Sequence, residues 1–439
     1  MRIMNHTTFP SSNIQNTYFD SMISGDRDPL IEVLRRSKQY DVIIKSANKR
    51  ELIDANNHEL VDFASCNYIS FDQEQDALLE SGLAAAKKYG VHTSRARLMG
   101  YHELFSILEK KLAQFIGAED TLIFPNTTLA SIGIIPALIR QSDLIVMDKS
   151  AHATMYQASQ MARDKGAILK SYPQDDFARL EDILKDHQQA KRKIICVDGV
   201  YSMTGDFADL ASLVPIAEKY NALIYVDDGH GFATIGECPS QDMPYGHKGN
   251  GIVNLHGLNY DNIMYAAGTA KGLASAAAFV SVTPNMKKFL MAYAKPLDYT
   301  HPSTPFTLGI LNGALDYVQV VGEQRREKLY RLTHHLIMGL KQMGFYVMNK
   351  SYFPIVSVWA GDTEKLISAS QQLYREGIFL TSCPYPTMPR NKEALRITVT
   401  SNHEMSHIEK LLQAFQRIQQ IWQAENIPFF PEGITNHVN

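Results

Sequence analysis

The feature that most constrains this 439-residue chain is a series of short, unbroken apolar runs. Leu122-Ile123-Phe124, Leu144-Ile145-Val146-Met147, Ile194-Ile195-Cys196-Val197, Leu223-Ile224-Tyr225-Val226 and Ile263-Met264-Tyr265 are each about as long as a strand. Helix-length amphipathic segments separate most of them. A strand that alternates apolar and polar residues wets one face, whereas an unbroken run is buried on both. That is how strands read in a mostly parallel sheet covered by helices. The alternation predicts an α/β domain.

The flanks read differently. Residues 1 to about 45 are polar and weakly periodic, as an arm and a first helix would be. Leu52 to Phe71 alternates short apolar stretches with turn residues, suiting a small sheet or a loop leading inward. After about residue 311 a long helical stretch, Leu311 to Leu340, leads to a strand near Ile355-Val356-Ser357-Val358. A helix, a strand over Ala394–Val399 and a last helix from Met405 to about Trp422 complete a smaller α+β lobe. The division is an N-terminal arm and small segment (1–85), a large domain (86–310) and a C-terminal small domain (311–439). Residues 232–262, rich in Gly, Pro, Asn and His, form a loop long enough to be functional or mobile. The tail after Glu425 is expected to be loosely held.

Bulk properties exclude several classes. A net charge of −3 offers no basic field to nucleic acid or an anionic membrane. No apolar run approaches the ~20 residues of a membrane span, and Met1–His6 lacks the apolar core of a signal peptide. Cys66, Cys196, Cys238 and Cys383 are scattered with no CxxC pair, which suits a reducing, cytoplasmic setting. No metal cluster is indicated.

Ligands of open α/β sheets bind beyond the carboxyl ends of the strands. Chemistry-bearing residues follow the apolar runs at those ends: Asn126-Thr127-Thr128, Asp198 to Ser202, Asp227 to His230 and Thr269 to Lys271. Asn126, Thr127 and Thr128 open a helix and offer free N–H groups and hydroxyls to an anion such as phosphate. Asp227 ends a buried strand and needs a cationic partner, a role a protonated pyridine nitrogen would fill. His152 can stack on an aromatic ring, and His230 can donate to a phenolate oxygen. Lys271 precedes Gly272-Leu273-Ala274-Ser275-Ala276-Ala277-Ala278, where partial desolvation favours amine nucleophilicity. Each residue alone has an ordinary structural explanation; their convergence on one sheet edge points to a site.

These residues resemble a known family. Asp198-Gly199-Val200-Tyr201-Ser202-Met203-Thr204-Gly205-Asp206 is similar to the (E/D)GV(Y/F)SM signature of the α-oxoamine synthases. Val226-Asp227-Asp228-Gly229-His230, Ser65-Cys66-Asn67-Tyr68-Ile69 and Leu395-Arg396-Ile397 resemble further family blocks in order and spacing. The resemblance, from about Ala47 to Gln420, implies a fold-type I pyridoxal-phosphate-dependent transferase: a large domain with a mostly parallel seven-stranded sheet plus a smaller C-terminal α+β domain. It implies that Lys271 binds the cofactor covalently and moves protons at the substrate α-carbon. Asp227 would pair with the pyridine nitrogen, and His230 and Ser202 would bond the phenolate oxygen. His152 would stack on the ring, and Asn67 and Arg396 would hold the amino-acid carboxylate. Asn126, Thr127, Thr128 and Thr269 would serve the phosphate, with Thr300 reaching the phosphate of a partner subunit in a homodimer. The implied reaction joins an α-amino acid to an acyl-CoA. A signalling synthase making a long-chain α-amino ketone is a sub-case, hinted at by Ala270.

The chain departs from the family in places. Thr269 stands one position closer to the lysine than in the family's Gly-Thr-x-Ser-Lys. Asn126-Thr127-Thr128 replaces a Ser-Gly-aromatic phosphate loop, Phe105 stands where a histidine is common, and Gly229 replaces Ala or Ser. Alternatives are an aminotransferase or decarboxylase of the same fold, or a non-catalytic partner subunit, which typically lacks the lysine. A nicotinamide dehydrogenase would need a Gly-x-Gly-x-x-Gly after a strand, and none is present.

Overall fold

The computed structural model describes residues 14–15, 29–73, 75–425 and 427–431. The expected N-terminal arm lies largely outside the described residues, and a first helix spans Pro29–Arg36. Three strands follow: β1 (Ile44–Asn48), β2 (Glu51–Asp54) and β3 (Glu59–Asp62).

The central sheet holds β4 (Asp120–Phe124), β5 (Leu144–Asp148), β6 (Ile168–Tyr172), β7 (Lys193–Asp198), β8 (Leu223–Asp227), β9 (Ile263–Gly268) and β10 (Ala278–Val282). Their spatial order is β4-β10-β9-β8-β7-β5-β6. Strands β5 to β9 pair in parallel, and β10 runs antiparallel to both β4 and β9. This is the seven-stranded, mostly parallel sheet that the resemblance implies. Its inner strands are buried on both faces because their apolar side chains serve two cores, while edge strand β6 is only partly buried. Ile195, Val197, Ile224 and Val226 enter one cluster, and Ile194, Cys196, Tyr225 and Met264 enter the other.

The smaller lobe contains β11 (Ile355–Gly361), β12 (Ile378–Phe379), β13 (Thr381–Cys383) and β14 (Glu393–Thr398). Strands β11, β14 and β13 form one sheet, while β12 pairs in parallel with β3 and joins β1–β3. The segment ending at residue 85 therefore does not stand alone, because its sheet is completed from the C-terminal lobe. The helix Pro305–Gln342 also runs unbroken through residue 311 and ties the two parts together. It packs closely on the helix Gln75–Tyr89: a Cβ at Gly309 would lie 2.4 Å from the Ser81 carbonyl oxygen. The Ser81 hydroxyl donates to the Gly309 carbonyl at 2.7 Å.

Two expectations are corrected. Residues 232–262 are a structural insert, with Phe232 to Ile235, Tyr245 and Asn250 to Val253 buried and a short helix over Ile252–Leu255. The carboxylate of Asp228 fastens this insert by accepting from Gly231 N, Ile252 N and Tyr265 Oη at 2.9–3.1 Å. Burial pushes the Asp228 pKa up to about 6. The described part of the tail is also held, since Phe429 packs against Phe345 and Trp422 and Ile427 N donates to the Trp422 carbonyl.

Candidate active site

Parallel pairing of β7 with β8 puts Asp198 and Asp227 side by side at the carboxyl edge of the sheet. Both are buried. Asp227 Oδ1 accepts the Gly229 N–H at 3.0 Å. Burial raises the Asp227 pKa, and Lys271 and His152 act in the opposite direction. Asp198 is pushed well above the carboxylate range by burial and by the neighbouring Asp227, although its Oδ1 accepts the His152 N–H at 2.9 Å. Among the described residues Asp227 enters no direct ion pair, so a buried carboxylate at a ligand-binding edge has only the more distant Lys271 and His152 to offset its charge.

Lys271 lies on the one-turn helix Thr269–Leu273 that follows β9 and is half-buried. That helix ends at Ala274 in the left-handed region (φ 51°), uncommon for a residue other than glycine. Gly229 marks the meeting point of the site. A Cβ there would lie 3.1 Å from Asp227 Oδ1, 3.5 Å from Lys271 Nζ and 3.9 Å from Thr127 Cγ2. A lysine amine, a buried carboxylate and the first turn of a helix thus surround one space. Glycine at 229 is what lets these three groups approach one point, since a Cβ would already crowd Asp227 Oδ1.

Thr127 begins the helix Thr127–Leu138, capped by Asn126 Oδ1 accepting from Leu129 N at 2.8 Å. The capping bond holds the N-terminus in register while the N–H groups of Thr127 and Thr128 precede the helical ladder and suit an anion. His152 caps the helix Ala153–Arg163, with its ring exposed and Nδ1 2.8 Å from Thr154 Oγ1. The Asp198 bond to its backbone fixes where the ring projects.

His230 is buried, and its Nδ1 lies 2.5 Å from the hydroxyl of Tyr68. Burial, reinforced by Lys271 and Arg396, holds His230 well below the usual histidine range. Burial likewise raises Tyr68 far above an ordinary phenol. A neutral imidazole facing a protonated phenol accepts at Nδ1, which leaves the ring proton on Nε2.

Arg396, on β14, is 5% exposed. Its Nε donates to the Ser202 carbonyl at 2.7 Å and its Nη1 to Thr398 Oγ1 at 3.2 Å. Both terminal nitrogens face Cys66 Sγ, at 3.6 and 3.7 Å. Ser202 thus meets Arg396 through its backbone. Asn67 is buried; its Oδ1 accepts from Phe71 N at 2.8 Å, and its Nδ2 reaches the Ala270 carbonyl at 3.4 Å, one residue before Lys271.

Two hydroxyls expected at the phosphate make backbone bonds in this structure. Thr269 is fully buried, and its hydroxyl donates to the carbonyls of Ser275 and Ala277 at 2.6 and 3.0 Å. The Thr300 hydroxyl donates to the Pro296 carbonyl at 2.7 Å. A phosphate oxygen needs a donor, and each hydroxyl has one proton, already committed to a backbone carbonyl. Thr269 therefore closes the turn after Lys271, and Thr300 closes the turn after Pro296. Sequence reasoning also passed over Cys66, Tyr68 and Asp198, although all three lie within the motif blocks.

Comparison with known proteins gives consistent matches. The family model described as aminotransferase class I and II matches residues 58–415. An 8-amino-7-oxononanoate synthase of Alkaliphilus oremlandii is 28% identical over 379 residues, 86% of this chain and 91% of that protein. A protein of the same name from Hydrogenovibrio crunogenus is 30% identical over 374 residues, 84% of this chain and 90% of its own. A solved structure of a Sphingomonas wittichii serine palmitoyltransferase shares the fold with a TM-score of 0.80 at 20% identity, covering 94% of this chain and 98% of that one.

Proposed function

The chain belongs to the class I and II aminotransferase family, in its α-oxoamine synthase branch, and from that premise we propose that it is a pyridoxal-phosphate-dependent acyltransferase. The reaction joins an α-amino acid to an acyl-CoA thioester, releasing CoA and CO₂ and leaving an α-amino ketone. The observation that carries this reading is the convergence on Gly229 of Lys271 Nζ, the unpaired Asp227 carboxylate and Thr127.

The residues fit the cofactor. When bound, pyridoxal phosphate supplies a protonated aromatic ring that delocalises the electron pair left at the substrate α-carbon. Asp227 would keep a proton on the ring nitrogen, and the ring's positive charge would give the buried carboxylate the direct ion-pair partner it otherwise lacks. The N–H groups of Thr127 and Thr128 meet the phosphate, and His152 covers the ring face. Tyr68 holds His230 with its proton on Nε2, as a donor to the phenolate oxygen. Lys271 holds the cofactor covalently and, once released, is the amine placed to move a proton at the substrate α-carbon. Arg396 orients the substrate carboxylate through its planar fork. Exposed Val91, Met99, Tyr101 and Tyr299 support a homodimer as the working unit, and the four free cysteines support a cytoplasmic setting.

The testing experiment records the absorbance of the purified protein, titrates a panel of amino acids, then adds acyl-CoA thioesters of increasing chain length and follows free CoA thiol. A visible band that shifts with one amino acid, followed by CoA release, is expected. The chain length giving fastest release then separates short-chain from long-chain synthesis. A colourless protein that takes up no pyridoxal phosphate would overturn the reading in favour of a non-catalytic subunit. Amino-group transfer without CoA release would overturn it in favour of an aminotransferase.

Two variants separate the roles of the residues. Arg396→Gln should weaken amino-acid affinity by about 3 kcal/mol, on the order of 100-fold, because it deletes one partner of a buried charged pair. The cofactor band should persist; unchanged amino-acid affinity would remove Arg396 from the site. Tyr68→Phe leaves His230 Nδ1 buried without its donor, a cost of about 1–3 kcal/mol in stability. The midpoint of thermal unfolding should fall, and the cofactor band should shift as Nε2 ceases to be the fixed donor. A lowered midpoint with an unshifted band would confine Tyr68 to packing.

A further inference from the structure

Arg396 presents an unusual coordination. Two oxygen acceptors, the Ser202 carbonyl and Thr398 Oγ1, fix its plane, and among the described residues it enters no ion pair. Its outer edge, where both terminal nitrogens point and where a carboxylate would bind in two-point fashion, carries Cys66 Sγ at 3.6 and 3.7 Å, with the Tyr68 hydroxyl beside both and no carboxylate among the described residues. An oxygen acceptor would sit roughly 2.7–2.9 Å away. A thiol at van der Waals range fills that edge without neutralising it.

Cys66 has little freedom to leave. Asp62 Oδ1 accepts from Ala64 N and Ser65 N at 2.9 and 3.1 Å. Phe63 N donates to the Phe379 carbonyl, Thr398 N to the Phe63 carbonyl and Ser401 N to the Tyr68 carbonyl. Asn67 Oδ1 closes the following turn. The loop carrying Cys66 is therefore bonded on both sides, to β12 and to the end of the strand that carries Arg396, and only rotation about Cα–Cβ can move the sulfur. The residue is partly exposed, in contrast to buried Cys196 and Cys383. Burial opposes ionisation of the thiol, but Arg396 and Lys271 outweigh it and bring the pKa below the ordinary value.

We propose that Cys66 is a positioning residue of the carboxylate subsite, its sulfur occupying the outer edge of the Arg396 fork until a carboxylate displaces it, and that it is therefore a modification site selective for electrophiles that carry a carboxylate. This deepens the function proposed above and rests on the reading that Arg396 receives the substrate carboxylate. Two consequences follow from the geometry. A carboxylate docked on Arg396 brings its own α-carbon beside the sulfur, so Cys66 also limits what can be attached there. With iodoacetate, the docked carbon is the one bearing iodine: the sulfur forms an S–C bond as the C–I bond breaks, iodide leaves and the thiol proton passes to buffer.

The experiment uses the full-length protein as purified and compares alkylation by iodoacetate and iodoacetamide, site by site, by mass spectrometry. Exposed Cys238 is the internal reference for intrinsic reactivity. The iodoacetate-to-iodoacetamide rate ratio at Cys66 should exceed that at Cys238 by about tenfold, the size of one charge-assisted hydrogen bond. Arg396→Gln should abolish the excess. Equal ratios at the two cysteines, or no labelling of Cys66 by either reagent, would overturn the proposal. An Arg396-dependent excess that no amino acid slows supports the thiol–guanidinium assignment and counts against the amino-acid substrate proposed above. As a second arm, Cys66→Ser places a stronger acceptor on the fork and should raise the amino-acid KM several-fold with kcat little changed, whereas Cys66→Ala should not. Equal KM values in the two variants would overturn the positioning role.

Discussion

Lys271→Ala is expected to abolish turnover and the visible band of the bound cofactor while leaving the fold intact. Among the described residues Lys271 Nζ enters no hydrogen bond or ion pair, so its removal breaks no short polar contact and costs the fold only its longer-range attraction to Asp227 and Asp198. Its carbon stem is half-exposed, which limits the packing loss. What disappears is the amine 3.5 Å from where a Cβ at Gly229 would stand, beside Asp227. Loss of a positioned proton-transfer group costs up to about 10⁴-fold in rate, and loss of covalent attachment adds to it. CoA release followed under saturating substrates gives the rate, and thermal unfolding checks the fold. Full activity in a variant with an unchanged midpoint would remove Lys271 from the chemistry.

Asp227→Asn should lower kcat on the order of 10³-fold, at the upper end of the loss when one preorganised electrostatic group is removed. The amide oxygen can still accept from Gly229 N, so the backbone turn survives. The negative charge that keeps the ring nitrogen protonated does not. Stability should move the other way in the cofactor-free protein. Burial raises the folded pKa of Asp227 above its unfolded value. The folded state then holds that proton more tightly, so stability falls as pH rises from the unfolded to the folded pKa and the cost persists above it. At neutral pH the cofactor-free asparagine variant should unfold at the same or a higher temperature than the parent. Added pyridoxal phosphate should stabilise the parent more than the variant, because only the parent gains a charge partner. A variant that loses stability without cofactor and keeps full activity would make Asp227 a structural residue.

The departures from expectation have separate physical causes. Strand β6 escaped notice because it lies at the sheet edge, where Lys170 and Ser171 can be half-solvated and interrupt the apolar run. Strand β10 is apolar but follows an alanine-rich stretch with no turn signal between. The insert 232–262 reads as a loop because its glycines and polar residues suit loops. Its order comes from Asp228 and Tyr265, which reach it across the fold. Thr269 and Thr300 resembled phosphate ligands by position, yet a hydroxyl proton can be donated only once, and nearby carbonyls take it.

Local sequence by itself determined the α/β class, the apolar runs that become β4, β5, β7, β8 and β9, and the candidate residues that follow them. Apolar periodicity and the chemistry permitted beyond a buried strand are properties of neighbouring residues. Tertiary structure alone decided which of those residues share a space. Convergence of Lys271, Asp227 and Thr127 around Gly229 depends on parallel register between β8 and β9 and on where the helix after β4 begins. Contact of Cys66 with Arg396, and of Tyr68 with His230, depends on the loop after β3 being bonded to strands far along the chain. Which partner a buried donor finds is set by packing between distant segments, and no local pattern encodes that choice.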